Sequence, residues 1–256
     1  MPYAVPAESN TWMREIRNLG FRTSLFGKTH LHPHGRSDLR KKEDLLHSLG
    51  LDDVNEIVGP LASATGLSHM TATWREQGLL EAYRADFKER FANKQYVVRP
   101  SALPLAQYYD VYVGQQAKQY LSSYDRDEPW FCWVSWGGPH QPWDTPEPYA
   151  SMYDPDVMPP PAIHDTGQPR PKGKLDQMMA NHSPNFEAGE VATMRADYAG
   201  SVSLIDDQIG EILKVIEERG ELDSTIIAFT SDHGEMNGCL LYTSPSPRDL
   251  STSRMP

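Results

Sequence analysis

Three short apolar runs, each broken off by a polar cluster, constrain this chain more than any other feature. FRTSLF runs into Gly27-Lys28-Thr29-His30, the stretch from Trp130 to Trp136 into Gly137-Gly138-Pro139-His140, and TIIAFT into Ser231-Asp232-His233-Gly234-Glu235. Each run has the length and the β-branched or aromatic content of a buried strand. Amphipathic stretches stand in front of them. Trp12, Ile16 and Leu19 recur at helical spacing before Gly20, and residues 106–124 carry Tyr109, Val113, Tyr120 and Tyr124. Val202, Ile205, Ile209, Ile212, Leu213 and Ile216 form an apolar stripe ahead of Gly220, with Asp206, Asp207, Lys214, Glu217 and Glu218 opposite. Helix before strand, repeated, predicts an α/β fold with a mainly parallel sheet flanked by helices. Its ligand site belongs where the strands end.

Charge and composition narrow the function. With 24 basic against 35 acidic residues the formal charge is −11. That excludes nucleic acid as a partner, since polyanions are held by cations that displace counterions and no segment here is strongly basic. No run approaches the roughly 20 apolar residues of a membrane span, and MPYAVPAESN lacks the basic start and apolar stretch of a secretory signal. The sequence singles out no compartment. Cys132 and Cys239 match no metal-binding spacing, which argues against disulfides and cysteine-bound zinc. The Gly27-Lys28-Thr29 triplet is not a phosphate-binding loop, because position 22, where the motif needs its first glycine, is Arg22. His32 and His34 have the spacing of a metal pair on a strand, but Pro33 interrupts it and predicts a solvent-exposed loop. Residues 37–100 read as a peripheral insertion with a helix from about Met70 to Phe91, and the proline-rich 139–185 as irregular loops shaping a cleft. Trp136 and Trp143 suit cleft wall and packing alike.

Together the segments FRTSLFGKTHL, FCWVSWGGPHQPWDTPEPY and YAGSVSLIDDQIGEILKVIEERGELDSTIIAFTSDHGE resemble the sulfatase family of the alkaline phosphatase superfamily. The resemblance covers about 1–36 and 105–238, and it is nearest to the branch of arylsulfatases, choline sulfatases and phosphonate monoester hydrolases. It implies an alkaline-phosphatase-like fold, incomplete at both ends in this chain. It also implies cleavage of a small-molecule or glycan sulfate ester by a formylglycine nucleophile and a divalent metal, Ca²⁺ ahead of Mn²⁺ or Mg²⁺. By the resemblance, Lys28 contacts the sulfate or the nucleophile, and His30 binds the nucleophile and serves as base. His140 contacts the sulfate or protonates the leaving oxygen, and Asp232 and His233 ligate the metal. Imidazole at position 233, where many members have Asn, is what brings Mn²⁺ into question.

The departures from the family are equally specific. The strand ending in paired metal-binding aspartates and the following C-x-P-S-R or S-x-P-S-R nucleophile segment do not occur in these 256 residues. The expectation is therefore a partial catalytic domain over 1–238 that is inactive alone. After Gly238 the pattern is lost, and the Ser- and Pro-rich residues 239–256 read as a non-native tail. Two other readings stand beside sulfate ester cleavage: phosphonate or phosphate ester hydrolysis at the same site, and a non-catalytic binding protein on this fold.

Overall fold

The computed structural model describes residues 3–34, 37–93, 97–160, 188–235 and 237. Its sheet has three parallel strands in the order β2-β1-β3, where β1 is Arg22–Lys28, β2 is Asp53–Ile57 and β3 is Trp130–Ser135. Helix α1 (Trp12–Asn18) leads into β1, and α2 (Glu43–Ser48) connects β1 to β2. Between β2 and β3 lie α3 (Pro60–Ser63), α4 (His69–Glu76), α5 (Leu80–Asn93) and α6 (Tyr109–Ser122), and α7 (Ala188–Glu218) follows. The α/β class with a parallel sheet between helices is the one the sequence predicts.

Helices cover both faces of β1, so residues 23–27 are all buried. A parallel strand in that position carries a continuous run rather than an alternating one. On one face Leu25 packs with Met13 of α1, Leu46 of α2, Leu49 and Leu51. On the other, Phe26 and Ile57 meet the pair of α6 and α7 through Val113, Ala117, Leu204 and Ile212. Each such aliphatic side chain contributes roughly 1.5–3 kcal/mol on full burial. β1 and β3 run in register from Arg22↔Trp130 to Gly27↔Ser135, so the loops that follow them leave the same edge of the sheet.

The structure departs from the sequence reading in three places. The helix expected from about 70 to 91 is two helices, because Gly78 takes a left-handed φ of 73° between α4 and α5. β2 was not anticipated: DVNEI has a half-polar surface and lies at the sheet edge, where one side of the strand needs no apolar cover. The segment TIIAFT is not a strand. Ile226 is 95% exposed and Phe229 83%. An apolar run becomes a strand only where a neighbour offers N–H and C=O groups, and among the described residues none pairs with 225–230. β3 in turn is half-buried along its length rather than buried. Most of the 139–185 excursion and the tail at 239–256 lie outside the described residues.

Gly27 sets the β1–β3 contact. Its φ is 118°, and a Cβ there would fall 1.8 Å from the Ser135 carbonyl oxygen. Gly27→Ala should therefore destabilise the chain by more than about 3 kcal/mol, combining a forbidden backbone conformation with a backbone clash. Gly20→Ala, at φ 92° with nothing within 4 Å, should cost about 1–2 kcal/mol for the conformation alone. Urea unfolding midpoints of the two variants check the difference, and equal losses would mean that the β1–β3 approach is not the tight point.

Candidate active site

Lys28 is the last residue of β1, level with Ile57 of β2. Its side chain lies across Gly59, where an added Cβ would sit 3.0–3.3 Å from its Cε, Cδ and Nζ. Any other residue at 59 would push the amine aside. Burial pulls the Lys28 pKa down, and the nearby carboxylates of Asp232 and Asp110 oppose that shift. His30 follows two residues later. Solvent reaches its ring, yet partial desolvation, then Lys28 and His34, push it down to about 4, against the pull of Asp232.

His140 comes from the loop after β3. Its Nδ1–H donates to the Gln141 carbonyl at 2.6 Å, which leaves Nε2 free in the neutral ring. Burial lowers its pKa first; the Gln141 bond and Asp232 raise it, while Lys28 and His233 lower it further. The start of this loop is held by Asp110, in the first turn of α6. One oxygen of Asp110 accepts both the Gly137 N–H at 2.9 Å and the Gly138 N–H at 3.0 Å. The other oxygen is buried with no hydrogen-bond partner among the described residues. Burial pushes the Asp110 carboxyl up to about 7, against those two bonds and Lys28. Sequence reasoning missed Asp110. Its only signal was an acid in the first turn of a helix whose first five residues are otherwise apolar or aromatic.

Asp232 and His233 lie in the segment after the exposed TIIAFT run. Asp232 Oδ2 and His233 Nε2 are 3.5 Å apart, and Asp232 Oδ1 also accepts the His233 backbone N–H at 2.9 Å. Asp232 is within electrostatic reach of Lys28, His30 and His140, and His233 of His140. Asp232 thus joins Lys28, His30 and His140 electrostatically, and His233 joins them through His140 and Asp232.

The HLHPH segment corrects the sequence reading. His32 and His34 are buried, at 1% and 8% exposure, rather than lying in a solvated loop. The reason is Glu56 of β2, a residue whose strand the sequence did not disclose. Glu56 Oε2 faces His32 Nε2 at 2.8 Å and Oε1 faces His34 Nε2 at 3.1 Å, and the Thr29 hydroxyl donates to Oε1. Of the two tryptophans, Trp143 is buried at 2% and belongs to the packing, while Trp136 is partly buried against the larger core cluster.

Comparison with known proteins gives the family and the fold. A family model described as "Sulfatase" matches residues 6–250. The multifunctional alkaline phosphatase superfamily protein PehA of Trinickia caryophylli is 30% identical over 154 residues, 55% of this chain and 30% of that protein. An arylsulfatase of Clostridium perfringens is 27% identical over 245 residues, 90% of this chain and 47% of that protein. The solved structure of a phosphonate monoester hydrolase of Agrobacterium radiobacter has the same fold, with a TM-score of 0.63 at 22% identity over 92% of this chain and 49% of that one. The chain thus spans about half or less of the length of these relatives.

Asp110 makes a pH dependence. Its ordinary value is 3.8 and its folded value about 7. Between these the unfolded chain has lost the proton and the folded chain keeps it, so stability falls as pH rises through the window, by up to about 1.4 kcal/mol per pH unit. Asp110→Asn keeps an acceptor for Gly137 and Gly138 and removes the titration. Its unfolding midpoint in urea should be flatter than the wild type's between pH 4 and 7, and an unchanged slope would refute the assignment.

Proposed function

The chain belongs to the sulfatase family of hydrolases, and on that footing we propose that it carries part of the catalytic site of an enzyme cleaving sulfate esters of small molecules or glycans. The observation that supports this reading is the electrostatic influence that Asp232 has on Lys28, His30 and His140, beyond the ends of β1 and β3. Positive and hydrogen-bonding groups with depressed pKa values, held beyond strand ends, form a receptor for a tetrahedral anion. Lys28 holds a non-bridging oxygen through its ammonium. His140 is neutral in the empty site, and an anion placed beside it raises its basicity, so that Nε2 gains the proton it then gives to the leaving oxygen. His30 is poised as an acceptor, kept unprotonated by partial desolvation and by the neighbouring Lys28.

Asp232 and His233 fit a divalent metal as two neighbouring donors, 3.5 Å apart, out of the about six that a hard cation takes. Such a metal, Ca²⁺ or in view of the imidazole Mn²⁺, would add charge against the ester oxygens. Formylglycine would supply the nucleophile, from a segment outside these 256 residues. Cys132 does not serve: burial pushes its thiol up to about 12, and Trp-Val-Ser follows it instead of x-P-S-R. The chain alone is therefore expected not to turn over substrate.

A second reading is phosphonate or phosphate ester hydrolysis, favoured by His233 and by the likeness of fold to a phosphonate monoester hydrolase. The two are separated by assaying the protein with its native flanking sequence on an aryl sulfate and on a phosphonate monoester, with and without chelator. A clear preference for sulfate, lost with chelator, is expected; preference for the phosphonate would reverse the order. No turnover of either under any metal would leave only a binding role. In the same protein His140→Ala should slow poor leaving groups roughly 10²- to 10⁴-fold and activated aryl esters much less. Equal losses would assign His140 to anion binding instead.

A further inference from the structure

We propose that His32, His34 and Glu56 form a structural zinc site, separate from Asp232 and His233. It does not rest on the catalytic reading. Two imidazoles and a carboxylate, all buried, bring one donor atom each to within 4.8 Å of one another. Around a tetrahedral ion with bonds of about 2.0 Å, neighbouring donors stand about 3.3 Å apart. His32 Nε2 is 2.8 Å from Oε2 and His34 Nε2 is 3.1 Å from Oε1, so each imidazole needs only a slight widening from its own carboxylate oxygen, with Glu56 meeting the ion through both oxygens.

The surroundings are those of a ligand set. His32 Nδ1–H donates to the Pro33 carbonyl at 3.2 Å, the outer bond that fixes a metal-binding ring with Nε2 turned inward. Nε2 of that tautomer presents a lone pair to a carboxylate oxygen. Two acceptors face to face require a cation between them, either a second proton on the ring or a metal ion. Thr29 anchors the carboxylate in the same way from its other side, by donating to Oε1. Nitrogen donors select zinc over calcium or magnesium. Three protein ligands leave a fourth position for water, as in catalytic zinc sites, but His32, His34 and Glu56 are all buried, which leaves a substrate no access to the ion.

Zinc here would tie the segment 29–34 to β2. His30 lies inside that segment, so the ion would fix the path of the chain on which His30 is carried without touching the substrate. This is a clamp rather than a reaction centre.

The test uses the full 256-residue chain, stripped with chelator and titrated with Zn²⁺ by calorimetry, then with Co²⁺ by visible absorption. We expect one Zn²⁺ per chain and the intense ligand-field bands of four-coordinate Co²⁺ with nitrogen ligands. Glu56→Gln and His34→Ala should each weaken Zn²⁺ binding at least tenfold and abolish the rise in melting temperature that excess Zn²⁺ gives. Asp232→Asn with His233→Ala should leave both intact, which separates this site from the other. Should the Glu56 and His34 variants fail to fold, the Co²⁺ spectrum of the wild type decides by itself. Absence of Zn²⁺ binding, an octahedral Co²⁺ spectrum, or binding lost only in the Asp232/His233 variant would overturn the proposal and make the triad a proton-sharing hydrogen-bond network.

Discussion

The close approach of the β1 and β3 backbones at Gly27 is the contact on which the rest of the molecule depends. Parallel strands in register end level with each other, and here that brings Lys28 and the loop bearing His140 out on the same side. No side chain could stand between the strands at that point, since the Ser135 carbonyl fills the space a Cβ would take. The neighbouring Asp110 continues the same theme by receiving the next two backbone N–H groups after Trp136. Backbone, rather than side-chain packing, thus sets the distance between the two halves of the site.

The electrostatics follow from that placement. The chain is acidic overall, yet its strand-end region gathers an ammonium and three imidazoles and shields them partly from water. Desolvation makes their charged forms costly, which is why Lys28, His30 and His140 all shift downward. A visiting anion removes that cost. Lys28 in turn lowers the pKa of both His30 and His140, so an anion beside these groups would offset both desolvation and like-charge repulsion, which is the electrostatic basis of the proposed receptor.

Much of this was legible in the sequence because the signals were local. The Ile and Val stripe from 202 to 216 announced α7, and the strand-end positions of Lys28 and His140 followed from where apolar runs stop. What escaped was decided at a distance. Glu56 looks like a solvated acid in DVNEI until β2 pairs with β1 and brings it against His32 and His34, 24 and 22 residues away in sequence. Asp110 becomes buried only when the Gly137–Gly138 turn closes over it. TIIAFT failed for the converse reason: its local pattern is that of a strand, but strand formation needs a partner's backbone, and the pattern carries no information about whether one is there.

That unpaired hexapeptide has a colloidal consequence. Ile226, Ile227 and Phe229 are exposed, and β3 ends the sheet with one ladder of N–H and C=O groups unmatched among the described residues. Two such features on one molecule are complementary to their counterparts on the next, so contacts of this kind propagate rather than close. Concentration would favour such contacts, and the net charge of −11 opposes them. Added salt shortens the reach of that repulsion, so the balance between attraction and repulsion would shift toward association as ionic strength rises.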